Sequence, residues 1–121
     1  MGKNGHRLSF LIVENEPAQG LSTRKLLLES AKHNVITAYS SDEGRKMFER
    51  FPKVDAVVID EPLKDSAELG KHVRSKNSKI PVICLSPRIG AHERWADKTV
   101  NSHDPAALLK MLEEMGGRTD I

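Results

Sequence analysis

"FLIVENEP" (residues 10–17) joins two kinds of chain that seldom meet so abruptly. Its first four residues are apolar without alternation, the pattern of a strand covered on both faces. Glu14, Asn15 and Glu16 follow at once, and Pro17 closes the stretch. A strand of this kind sets acidic groups at the mouth of a sheet, and the reason has to come from whatever else arrives there.

The same construction recurs twice. "VDAVVID" (54–60) ends in Asp60 followed by Glu61, and "IPVICL" (80–85) is followed by Ser86 and Pro87. "VITAYS" (35–40) has the composition of a further short strand. Helical patterns separate them: "AQGLSTRKLLLESAKH" (18–33) carries a leucine face, and "SSDEGRKMFERF" (40–51) opens with Ser40 and Glu43 at capping-box spacing. "SHDPAALLKMLEEMGG" (102–117) places Asp104 at an N-cap and Pro105 at the first helical position. Leu108, Met111, Leu112 and Met115 lie on one side of it, with Gly116 as the expected stop. Strand and helix alternate about five times, which predicts an open α/β sheet with helices on both faces. In such sheets the functional crevice lies beyond the carboxyl ends of the strands, so "VENE", "VIDEP" and "CLSP" are expected to converge.

Composition narrows the function classes. The 121 residues suit one domain, here taken as 7–115 between a loose tail at 1–6 and a short tail at 116–121. Nineteen Lys and Arg against seventeen Asp and Glu give a net charge of +2 without a basic run, so direct nucleic-acid binding is not expected. No window has the length of a membrane span or the core of a signal peptide, and a cytoplasmic protein is the expectation. The lone Cys84 sits inside an apolar strand and reads as a small buried hydrophobe. "ENEPAQG" contains no phosphate-binding glycine loop, which sets aside a nucleotide-binding enzyme; the chain is not expected to be an enzyme. The five histidines show no ligand spacing and read as surface or helix-end residues. The basic residues of "RKLLLESAK" and "GKHVRSKNSK" read as solvated helix faces.

"FLIVENEP", "KVDAVVIDEP", "IPVICLSP" and "HDPAALLKML", in that order and nearly at that spacing, resemble the receiver domain of two-component response regulators, of the chemotaxis-receiver type. The resemblance covers 7–115 and implies a flavodoxin-like, doubly wound parallel sheet of five strands in the order 2-1-3-4-5. It further implies that Asp60 is the phosphoryl acceptor, that Glu14, Asn15 and Asp60 hold Mg²⁺, and that Ser86 is the hydroxyl that reads the phosphoryl group. Glu16 and Glu61 would complete an acidic pocket. The partners implied are a histidine kinase or phosphotransfer protein and a downstream protein target, with homodimerisation a further expectation. A cation and a hydroxyl are needed in such a site because transfer adds negative charge beside existing carboxylates.

The chain departs from that pattern at several points. Asn15 stands where a second acid is usual, which removes one charge from the metal site; a unit-charge contact near a protein surface amounts to about 4 kcal/mol before desolvation. Mg²⁺ affinity should fall accordingly. The lysine that normally ends the fifth strand is replaced by Asn101 or Ser102, depending on alignment. Lys98 is offset along the strand, and Lys64 is the other candidate substitute. "PRIGAHERW" after Ser86 is too short for a full fourth helix and contains Pro87 and Gly90, so a shortened fourth-helix region is expected, with Trp95 covering the gap. Two readings follow: a phosphorylatable receiver acting through Asp60, and a pseudo-receiver that keeps the fold as an interaction module.

Overall fold

The computed structural model describes residues 7–17, 20, 22–88 and 90–119, the last four by backbone alone. The expected tail at 1–6 and the start of the expected first helix lie outside the described residues. In chain order the elements are β1 (Ser9–Val13), α1 (Thr23–Ser30), β2 (Asn34–Ala38), α2 (Ser41–Arg50), β3 (Ala56–Asp60), α3 (Ser66–Lys76), β4 (Val82–Ser86), β5 (Lys98–Asn101) and α4 (Pro105–Thr119). The strands form one parallel sheet in the order β2-β1-β3-β4-β5, the flavodoxin-like arrangement that the resemblance implies. No described helix is long and apolar enough to cross a membrane.

The two-residue period of a strand explains why the central strands are apolar throughout. Leu11, Val13, Val57, Ile59, Val82 and Cys84 face one side, where Phe48 of α2 and Leu69 and Val73 of α3 cover them. Phe10, Ile12, Val58, Ile83 and Leu85 face the other, beneath Leu28 of α1 and Leu108 and Leu112 of α4. Three of the four described helices begin where the sequence supplies a side-chain cap, whereas α3 starts after Asp65 without one. The Ser22 hydroxyl accepts from the Lys25 amide at 3.1 Å, that of Ser40 accepts from Glu43 at 3.0 Å, and the Asp104 carboxylate accepts from Ala107 at 3.1 Å. The Glu43 side chain reaches back to the Tyr39 amide at 2.6 Å, completing the box one residue earlier than the usual pattern.

One expectation holds further than stated and two need correction. First, the shortened fourth-helix region contains no helix at all among the described residues; Pro87 and the left-handed Gly90 (φ 76°) keep that connection irregular. Trp95 and Ala96, both buried, instead pack on the α2/α3 face of the sheet. Second, α4 continues past Gly116 to Thr119. Glycine costs a helix only about 1 kcal/mol per residue and ends one only when a left-handed turn follows. Third, His33 is buried: its Nδ1 accepts from the Leu8 amide at 3.2 Å, and its Nε2 meets the Glu113 carboxylate at 2.8 Å. With Nδ1 accepting, Nε2 carries the proton and donates. This ring, edge-on to Phe10, ties the start of the sheet to α4.

Trp95 requires a bare backbone beneath it. A Cβ at Gly70 would collide with the indole ring and lie 3.0 Å from the Trp95 carbonyl oxygen. Gly70→Ala should therefore cost about 1–3 kcal/mol by overpacking, and fluorescence of Trp95, the only tryptophan, should shift to the red in urea titrations that show the lowered midpoint. Cys84 offers a separate check. Burial, with the charges of Glu61 and Glu93 behind it, pushes its thiol up to about 12 from an ordinary 9.0. The native thiol should resist alkylation at mildly alkaline pH and react only on unfolding. Because the folded chain keeps a proton that the unfolded chain loses, stability should decline as pH rises past 9.0.

Candidate functional site

Parallel pairing brings the strand ends into line. Val13 lies opposite Ile59, Asp60 opposite Leu85 and Ser86 opposite Asn101, so Glu14, Asp60 and Ser86 share the carboxyl edge of the sheet. The Glu14 amide donates to the Ala38 carbonyl at 3.0 Å, which fixes the chain just beyond β1. Glu14, Asp60 and Ser86 are all buried. Two buried carboxylates on neighbouring strands repel, and the structure resolves this with a residue that was expected on a solvated face.

That residue is Arg24. It follows the Ser22 cap by two positions, and helical side chains lean toward the helix N-terminus, so its guanidinium reaches back over the strand ends. Nη1 donates to Glu14 Oε1 at 2.9 Å and to Asp60 Oδ2 at 3.1 Å, and Nη2 approaches the Ser102 carbonyl at 3.4 Å. One arginine thus spans the ends of β1, β3 and β5. Because α1 starts at Thr23, Arg24 is a cation in a first turn that holds no acid, where the helix dipole opposes it.

Burial raises the Asp60 carboxyl above its ordinary 3.8, and Glu14 adds to the rise; Arg24, by charge and hydrogen bond, and the Asn15 amide pull against it without cancelling it. Glu61, the next residue, shifts the other way. The Ser86 hydroxyl, donating to Glu61 Oε1 at 2.6 Å, lowers it most, and Arg88 follows. Arg88 also pairs with Glu93 at 3.0 Å, and its amide donates to Ser86 Oγ at 3.1 Å. Glu61 therefore belongs to a separate network and does not join Glu14 and Asp60 in an acidic pocket. The side chains of Asn15 and Glu16 are exposed. Asn101 uses its Oδ1 to accept from the His103 amide at 2.8 Å; Lys98 opens β5 at the far end, and Lys64 is exposed. A cleft of about 380 Å³ opens beside Arg24, with Glu14, Ser22, Ser102 and His103 in its walls; Asp60 is not among the residues lining it.

Solved structures place this arrangement in context. A response regulator receiver domain protein from Clostridium thermocellum superposes with a TM-score of 0.79 at 20% identity, over 93% of this chain and 97% of that one. The non-phosphorylated receiver domain of HemR from Leptospira biflexa gives 0.74 at 27% identity, over 90% and 94%. The chain has the response-regulator receiver fold. The response regulator TrrA of Thermotoga maritima, solved in complex with magnesium and beryllofluoride, matches this receiver fold at 0.71 and 22% identity, over 89% and 98% of the two chains. No protein-family model matches the sequence, and no curated protein does.

The donor set in this receiver fold does not fit the metal that the resemblance implies. Among the described residues no three or more His, Cys, Asp or Glu side chains are grouped to hold a metal. The buried strand-end pair, Glu14 and Asp60, already shares the Arg24 guanidinium. Glu14 Oε1 and Asp60 Oδ2 are both taken by the guanidinium, and Mg²⁺, which is usually held by one or two carboxylates and several waters, finds neither the carboxylates nor the room while Arg24 stands between them.

The Asp60 environment is directly measurable. A carboxyl-detected NMR titration should place its midpoint above 3.8, and Arg24→Ala should move it higher still by removing the main opposing influence. The sign for stability follows: because folded Asp60 holds its proton more tightly than the unfolded chain does, this residue's contribution should weaken as pH rises from 3.8 through the folded midpoint.

Proposed function

We propose that the chain is a protein-interaction module of two-component signal transduction whose output does not depend on a phosphoryl group at Asp60. The receiver fold supports the signalling class. The observation that carries the rest is the state of Ser86. A phosphoryl group brings roughly −1.5 to −2 charges and three acceptor oxygens, and a switch must read them with a hydroxyl free to turn toward it. Here that hydroxyl donates to Glu61 at 2.6 Å, on the side of Glu61 opposite the oxygen held by Arg88. Turning it toward Asp60 would leave a Glu61 oxygen short of its strongest donor.

The lack of a cation at Asn101 and Ser102 supports the same reading, as does the rebuilt β4–β5 connection, where Trp95 takes the space of a helix. The module is read as a cytoplasmic binding protein and not as an enzyme. Its partners in this reading are a downstream protein target and, on the input side, a histidine kinase or phosphotransfer protein recognised by shape, with self-association as a further contact. A second reading keeps Asp60 as the phosphoryl acceptor, with Mg²⁺ as its cofactor. The placement of Asp60 at the end of β3, beside Glu14, favours it.

Intact-mass spectrometry after incubation with acetyl phosphate and magnesium separates the two. The expected result is an unmodified chain and unmoved amide resonances at Ser86. A phosphoryl adduct on the wild-type chain that is absent from Asp60→Asn would establish the second reading instead.

A further inference from the structure

Nη1 of Arg24 lies about where a cation bridging Glu14 and Asp60 would sit, within 2.9 Å of one carboxylate and 3.1 Å of the other. We infer that Arg24 is a tethered counter-ion in place of a divalent metal, making the carboxylate pair metal-independent and leaving a latent metal site that appears when Arg24 is removed. The inference concerns the pair itself and holds whatever the module signals to.

Four observations carry it. The Glu14 side chain is only 5% exposed and is aimed into the site with Oε2 unpartnered; a second donor or a metal is what that oxygen lacks. Arg24 sits in a first turn where the helix dipole repels it, so the carboxylates, and not the local helix, hold it in place. Its contact with the Ser102 carbonyl adds a third anchor from the β5–α4 turn. Finally, the guanidinium is attached to the same chain, and a tethered partner competes at an effective concentration of about millimolar or more. Mg²⁺ releases its water reluctantly and demands near-octahedral oxygen ligands, so displacing a planar fork already bonded to both carboxylates is unfavourable.

The test uses MgCl₂ alone, followed by thermal melting and by amide shifts at Glu14 and Asp60. Wild-type protein should give the same melting temperature in EDTA and in millimolar Mg²⁺, with no saturable shifts. Arg24→Ala should melt lower in EDTA and recover in Mg²⁺ with saturable shifts at both residues; a variant that folds only with Mg²⁺ would be the same result in stronger form. Arg24→Lys, which keeps the charge, should behave as the wild type. Saturable Mg²⁺ shifts in the wild-type chain would overturn the inference, and so would an Arg24→Ala protein that folds yet ignores Mg²⁺, or one that fails to fold with or without it while Arg24→Lys responds to the metal. A phosphoryl adduct in the mass experiment would overturn the functional reading without deciding this one, because the two experiments read different events.

Discussion

Two buried carboxylates on adjacent parallel strands are a liability that the rest of this molecule accommodates. Removing one partner of a buried, hydrogen-bonded ion pair typically costs about 3–5 kcal/mol, because the other charge is left without water or partner. Glu14 and Asp60 are brought side by side by strand pairing, which hydrophobic burial of β1 and β3 dictates and which the acids cannot oppose. Arg24 offsets the conflict. To do so, α1 must begin at Thr23, with Ser22 supplying the cap that sets the phase of the first turn and the guanidinium reaching three strand ends at once.

The other half of the sheet edge is organised by a β4–β5 connection that holds no helix among the described residues. Without one between β4 and β5, the α2/α3 face would expose the apolar side of β4; Trp95 covers it and can do so only because Gly70 presents no side chain. The same connection carries Arg88 and Glu93, whose ion pair draws in Glu61 and, through it, Ser86. A change in how the chain crosses from β4 to β5 therefore reaches the strand-end hydroxyl.

Much of the fold was legible because continuous apolar runs have few explanations: "FLIV", "AVVI" and "VICL" had to be strands covered on both faces, and Asp104 with Pro105 had to start a helix. Glu14, Asp60 and Ser86 were legible as strand-terminating polar residues for the same reason. Arg24 was not, since a basic residue on an amphipathic helix usually faces water, and only the packing of α1 over the sheet shows what lies within its reach. His33 escaped notice because burial of a histidine depends on two partners far along the chain, Leu8 and Glu113. The end of α4 was misjudged because glycine permits a helix to stop without requiring it.

Asp60 and Glu61 show how finely the edge is divided. They are adjacent in sequence, yet the carboxyl of one is held above its ordinary value by burial and that of the other below it by the Ser86 hydroxyl. Alternation at the end of β3 sends the first toward α1 and the second toward the β4–β5 connection. The result is two networks, Glu14 with Arg24 and Asp60, and Glu61 with Ser86, Arg88 and Glu93, that share no side chain among the described residues. A charge placed on Asp60 would be felt first by Arg24, while Ser86 stays committed to Glu61. Coupling between the halves then has to run through the backbone at residues 60–61, whose amide already donates to the Leu85 carbonyl at 2.8 Å. An edge wired in this way keeps a change at Asp60 apart from the Ser86 hydroxyl.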